Sequence, residues 1–175
     1  MENLKTERKR IMDNVDKKIL LVPHCFLTKG FTPKHRNQMD EVLKILQDFK
    51  TGIIQMPCPH LMLMKNRRIT HANSSYQAYE QFCSSIGSEE LNGLFSSFIS
   101  PFIKQVEEYK QQGFKIAGLV GIKDSPSCEV RQVESGECDT QGLFMETIKR
   151  KLKERAINTS LVNVSVSPKT DFDFL

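Results

Sequence analysis

The stretch Lys18-Ile19-Leu20-Leu21-Val22-Pro23-His24-Cys25 decides the reading of this chain. Four aliphatic residues follow one another with no polar residue between them, after a lysine and before a proline. An amphipathic strand would alternate and a helix would need a longer run, so Lys18 to Val22 reads as a strand covered on both faces, as in a parallel sheet. Pro23 fixes its own φ and offers no N–H, which closes the strand and starts a stiff loop. Three more short apolar runs read the same way: Gly52 to Met56, Lys115 to Gly121 and Ser160 to Val166.

Helical patterns fill the spaces between these runs. From Arg36 to Phe49, residues Met39, Val42, Leu43, Leu46 and Phe49 fall on one face at helical spacing. Tyr76 to Ile86 reads as a helix, and a longer one opens at Ser88. Its apolar stripe is Leu91, Leu94, Phe95, Phe98, Phe102 and Val106. Pro101 is expected to bend or interrupt it, and Gly113 to stop the chain before the third strand. After a loop from Asp124 to Asp139, Leu143 to Arg155 reads as an amphipathic helix whose last turn carries Lys151, Lys153 and Arg155, as the helix dipole favours. Strands alternating with helices predict an α/β fold, a single-domain Rossmann-like parallel sheet with helices on both faces. The expected organisation is a polar N-terminal arm over 1–17, the α/β domain over 18–167 and a fraying tail over 168–175.

Composition narrows the function classes. With 175 residues, 39% hydrophobic and 26% charged, the chain matches one folded domain with a real core. The net charge of +4 is modest, and the densest basic run, Arg8-Lys9-Arg10, is flanked by Glu7 and Asp13, so no nucleic-acid footprint is expected. The longest apolar runs, Ile19 to Val22 and Ile116 to Ile122, fall far short of the roughly 20 residues of a membrane span, so no membrane partner is expected. Met1 to Lys18 is charged throughout and lacks the apolar core of a secretory signal, which predicts a cytoplasmic protein. Five cysteines are an odd number in a chain that is not small, so a disulfide framework is not expected and the thiols are available as ligands.

Three of those thiols fall just past strand ends. Cys25 follows Val22, Cys58 follows Met56, and Cys128 lies in the loop after Gly121. In a parallel sheet those ends share one edge, where open α/β sheets bind ligands, so three separate loops can deliver three thiols to one place without any C-x-x-C spacing. Proline lies within two positions of each, in Pro23-His24-Cys25, Pro57-Cys58-Pro59 and Ser125-Pro126-Ser127-Cys128. Three thiolates suit an iron–sulfur cluster or zinc, either of which keeps a position open for a substrate. Spacing alone equally allows three cysteines that merely pack at strand ends. Cys83 sits inside a helical pattern and reads as a buried small hydrophobe, and Cys138 as an incidental loop thiol.

The segments Pro57-Cys58-Pro59, Ser125-Pro126-Ser127-Cys128 and Gly142-Leu143-Phe144-Met145-Glu146, with a cysteine directly after the opening strand, resemble the thiouracil desulfidase (TudS) family over nearly all of the chain after residue 17. The resemblance implies a [4Fe-4S] cluster held by Cys25, Cys58 and Cys128 with one iron free of protein ligands. It also implies a small thiolated substrate that exchanges sulfur for oxygen. Ligands to three corners of such a cubane are expected about 6 to 7 Å apart. Three positions depart from the family pattern. His60 stands where a glutamate follows Cys-Pro, Glu129 replaces the glycine after Ser-Pro-Ser-Cys, and Phe26-Leu27-Thr28 follows the first cysteine. His60 is the candidate acid–base group, since imidazole titrates near neutrality. Ser125 and Ser127 are candidates to position substrate, although serine beside proline is also ordinary turn chemistry. His24 is read as packing at the strand end or bonding to the cluster, Glu129 as a solvated charge, and Arg67 and Arg68 as exposed. A non-catalytic cluster or sulfide-carrying module, a zinc-thiolate hydrolase and a thiol-redox site remain open alternatives.

Overall fold

The computed structural model describes residues 17–27, 51–65, 75–123, 125, 127–130 and 142–164. Its four strands are β1 (Lys18–Val22), β2 (Gly52–Gln55), β3 (Lys115–Ile122) and β4 (Ser160–Val164). They form one sheet in the order β2-β1-β3-β4, and every neighbouring pair is parallel. The α/β reading of the sequence holds, and the sheet is Rossmann-like. The helices are α1 (His24–Leu27), α2 (Pro59–Lys65), α3 (Ser75–Ser85), α4 (Ser88–Gln111) and α5 (Leu143–Glu154). The helix predicted over 36–49, the arm, the tail, Arg67, Arg68 and Cys138 lie outside the described residues.

Both faces of the sheet are covered, which explains the unbroken apolar runs. Ile19, Leu21, Ile54, Ile116 and Leu119 face the larger core with α3, α4 and α5. Leu20, Val22, Ile53, Val120 and Ile122 face a smaller one with Phe26 and Leu27 of α1. A register shift between β1 and β3 pairs Ile19 with Ile116 but Leu20 with Gly118. The extra residue, Ala117, changes the phase of β3, so Ile116 and Leu119 share a face that strict alternation would have split.

Of the two outcomes expected at Pro101, a bend or an interruption, the interruption does not occur. The helix runs unbroken from Ser88 to Gln111, burying Leu91, Phe95, Ile99, Phe102, Ile103 and Val106. Proline inside a helix costs about 3 kcal/mol, whereas burial of six large apolar side chains contributes about 1.5 to 3 kcal/mol each. Pro101 and Ser97 are both exposed, so the carbonyl that loses its partner can bond water. Helix α5 packs on α4 through Phe144, which meets Phe95 edge-on at 5.2 Å between ring centroids.

Two loops that the sequence left as stiff connections contain short helices, α1 and α2. Pro59 occupies the first helical position of α2, where its missing N–H costs nothing and its fixed φ suits the helix. The connection after β3 is tied down from β4. Asn163 accepts the Val130 N–H on Oδ1 at 2.9 Å and donates from Nδ2 to the Val130 carbonyl at 2.6 Å. Opposite Asn163 in the register stands Gly121, where a Cβ would meet Val130 Cγ2 at 2.7 Å and Val130 N at 2.8 Å. The close approach therefore requires glycine at 121. Gly121→Ala is expected to destabilise by about 1 to 3 kcal/mol through overpacking. Asn163→Ala is expected to lose a similar amount by leaving two backbone groups unpaired. Urea unfolding monitored by circular dichroism measures both.

Candidate functional site

The chain leaves β1 for β2 in one direction and β3 for β4 in the other, so the topological switch point lies between β1 and β3. The crevice outside the carboxyl ends of the strands at that point is the ligand-binding position of this architecture. Cys25, Cys58 and Cys128 come from the segments following β1, β2 and β3.

Each thiol is held by local backbone geometry. The Phe26 N–H bonds to the Pro23 carbonyl at 3.1 Å, turning α1 directly off the strand and placing Cys25 in its first turn. The next strand is tied to that turn: the Met56 N–H reaches the Val22 carbonyl at 2.7 Å, and Gln55 Nε2 donates to the His24 carbonyl at 3.0 Å. Cys58 is the N-cap of α2, because its carbonyl accepts the Met62 N–H at 3.2 Å. Its sulfur accepts backbone N–H groups of His60 and Leu61, the role a serine or aspartate usually plays at that position. Cys128 lies in a tight turn: its N–H bonds to Ser125 Oγ at 3.1 Å, and its carbonyl accepts the Ile122 N–H at 2.8 Å.

The three thiols meet. Cys25 and Cys58 share a thiol hydrogen bond, and Cys128 is close enough to interact electrostatically with both. Cys58 and Cys128 are buried, and Cys25 is half-buried. All three are free thiols. Together they cannot all carry charge. The hydrogen bond from Cys25 lowers the pKa of Cys58, helped by the Leu61 and His60 amides and opposed by burial. The same bond, with burial and the nearby Cys128 and Cys58, pushes Cys25 up. Burial raises Cys128 to about 12, against hydrogen bonds from Ser127 and Ser125. Cys58 is therefore the thiol that ionises first.

The other candidates surround this trio. His60 is buried in α2 with Nε2 3.1 Å from Ser127 Oγ, and the Ser127 hydroxyl lies 3.6 Å from Cys128 Sγ. Ser125 is buried and shapes the Cys128 turn, accepting the Glu129 N–H on its carbonyl at 3.3 Å as well as the Cys128 N–H on its hydroxyl. His24 is half-buried, and loss of solvent lowers its pKa. Glu129 is half-exposed, and Phe26 fills the smaller core. Cys83 is buried in the larger core, as its helical position suggested.

An uncharacterized protein of the archaeon Methanocaldococcus jannaschii is 25% identical to this chain over 162 residues, covering 90% of each. No family model and no solved structure matches. The site is thus defined by its own geometry.

Among the described residues no group of three or more His, Cys, Asp or Glu side chains is arranged to hold a single metal ion. Such an ion draws its ligands to one point at about 2.3 Å, whereas a cubane spreads its thiolates over its corners.

Residues missed by the sequence reading include Tyr79, which stacks on His60 with ring centroids 4.5 Å apart and planes at 14°, and Asn163, which anchors the Cys128 loop. Neither lies near Cys25, Cys58 or Cys128 in sequence, and no local signal marks them.

The opposed thiol shifts predict a pH dependence for the metal-free protein. Cys25 and Cys128, with raised values, favour the folded state below the ordinary thiol pKa of about 8.5 and lose that contribution as pH rises above it. Cys58, with a lowered value, contributes above that pH and loses its contribution as pH falls through its folded value. Above about pH 8.5 only the first two still change. The melting temperature should therefore fall between about pH 8.5 and pH 10, and Cys128→Ala should flatten the fall. Differential scanning calorimetry under reducing conditions reads both.

Proposed function

We propose that this chain is a [4Fe-4S]-dependent desulfidase that removes sulfur from a small thiolated compound of the thiouracil type. Cys25, Cys58 and Cys128 would hold three irons of the cluster and leave the fourth open. The observation that carries this reading is the convergence of three free thiols from three separate strand ends at the switch point of the sheet. Resemblance of the flanking segments to the thiouracil desulfidase family supports the choice of cluster and substrate.

A bound cluster supplies a Lewis acid with affinity for sulfur, which makes a thiolated carbon a better electrophile. The protein supplies the rest. Cys58 would hold its iron as the thiol most easily deprotonated, with the His60 and Leu61 amides steadying its charge. Ser125 fixes the turn that presents Cys128. His60, in place of the family's glutamate, is a buried side chain able to take and return a proton, with Ser127 as its bonded partner. The buried edge limits access of bulk water to the thiols.

The close pairing of Cys25 with Cys58 favours a second reading, a thiol-redox site, because one thiol activates its neighbour as a nucleophile. That reading leaves Cys128 without a part.

Anaerobic reconstitution with iron and sulfide separates the readings. The desulfidase reading expects about four irons and four sulfides per chain, sulfide release from thiouracil-type compounds, and loss of the cluster in each Cys→Ser variant. His60→Ala is expected to keep the cluster and lower turnover by about 100-fold or more. A loaded cluster with no turnover on a broad panel of thiolated compounds would reduce the protein to a cluster-binding or sulfide-carrying module. Failure to load iron, with ready oxidation of Cys25 and Cys58 to a disulfide, would favour the redox site.

A further inference from the structure

A buried hydrogen-bonded chain runs from His60 through Ser127 to Cys128, and the buried ring of Tyr79 packs against its His60 end. His60 Nε2 lies 3.1 Å from Ser127 Oγ, and that oxygen lies 3.6 Å from Cys128 Sγ. His60, Ser127 and Cys128 are 8%, 2% and 6% exposed, so no solvent competes for these bonds. The aromatic ring of Tyr79 lies flat against the imidazole, 4.5 Å between centroids and 14° between planes. Its hydroxyl is buried with no hydrogen-bond partner of good geometry, the Cys83 thiol one turn along α3 being its polar neighbour. The ring face of Tyr79 therefore does what its hydroxyl does not.

A serine hydroxyl has one hydrogen to donate and two lone pairs. If that hydrogen went to His60, the sulfur of Cys128 would lose its donor. If His60 carries its proton on Nε2 and donates to Ser127, the serine hydrogen is left for the sulfur. Which arrangement holds depends on the tautomer, to which the partner of the other ring nitrogen contributes, and on the plane of the imidazole, against which the Tyr79 ring lies. We propose that Tyr79 is a positioning residue: by stacking on His60 it holds Nε2–H toward Ser127, so that the Ser127 hydroxyl is committed to the sulfur of Cys128. A hydrogen bond donated to a ligand sulfur withdraws electron density from it, and such bonds help set the potential of iron–sulfur sites. The hydrogen-bond order stands on this geometry alone; only its electrochemical consequence rests on the cluster reading.

The test has two arms. In the metal-free, reduced protein at about pH 8, above the reference range of imidazole, nitrogen-15 NMR of labelled histidine reads the tautomer of His60. The wild type should show Nε2 protonated. Tyr79→Phe, which keeps the ring and removes the unpartnered hydroxyl, should preserve that signature and melt no lower than the wild type. Tyr79→Leu, which removes the ring, should lose it. In reconstituted protein the midpoint potential of the cluster should shift downward in Tyr79→Leu, Ser127→Ala and His60→Leu. It should stay near the wild-type value in Tyr79→Phe, and should be recovered by His60→Gln, whose amide can donate in place of Nε2–H.

A wild-type His60 protonated on Nδ1 alone would overturn the proposal. So would a Tyr79→Leu variant, folded by circular dichroism, with the wild-type tautomer and potential, or a Tyr79→Phe variant displaced as far as Tyr79→Leu. Should Tyr79→Leu not fold, the His60→Leu and His60→Gln pair decides: equal potentials in the two would sink the chain of bonds. Failure of the wild type to bind iron would remove the proposed function, while the tautomer arm would still decide the role of Tyr79.

Discussion

Parallel pairing of β1 with both β2 and β3 is the constraint on which the rest of this molecule depends. Strands that run the same way end on the same edge, and crossovers must carry the chain back over a face before the next strand begins. Those two consequences bring Cys25, Cys58 and Cys128 together, although the residues separating them far exceed the reach of any local motif. The central place of β1, between β2 and β3, puts the switch point of the sheet beside Cys25. The same pairing requires both faces to be covered, and among the described residues α3, α4 and α5 lie on one face and α1 on the other.

Bringing three thiols into a poorly solvated corner sets their chemistry. Burial disfavours thiolate, and each neighbouring charge disfavours the next, so the three ionise unequally. Backbone amides at the start of α2 offset part of that cost at Cys58, while hydroxyls of Ser125 and Ser127 offset part of it at Cys128. A cation or cluster at this edge would remove the remaining repulsion by taking up all three negative charges. Folding thus leaves three thiols close together whose ionisation is unequal. The serine hydroxyls are already engaged with the cysteine loop and with His60, so they act first as scaffolding of the thiols.

Much of the fold was legible because burial on both faces leaves a direct mark in sequence. Ile19 to Val22 and Ile116 to Ile122 have no polar alternation, and the spacing of Leu91, Phe95, Phe102 and Val106 marks the buried face of α4, which Ile99 and Ile103 complete in place of Leu94 and Phe98. Pro101 does not interrupt α4 because the backbone preference of one residue is smaller than the summed burial of the six apolar side chains on that helix. The short helices α1 and α2 escaped notice because four and seven residues are too few to display a period. The three thiols were legible as a group only through the prior inference of a parallel sheet.

The sequence by itself determined the order of the strands along the chain, the longer helices α3, α4 and α5, the parallel class of the sheet and the edge at which Cys25, Cys58 and Cys128 emerge. These follow from local hydrophobic pattern and from the polarity of a chain whose strands all point one way. Only the tertiary structure decided that Cys25 bonds to Cys58, that His60 turns to Ser127 under the ring of Tyr79, and that Asn163 grips the Cys128 loop across Gly121. Such contacts depend on side-chain direction and on approaches of a few ångströms between segments remote in sequence. No local propensity encodes them, because packing of the whole domain selects one arrangement from many that the backbone alone would permit.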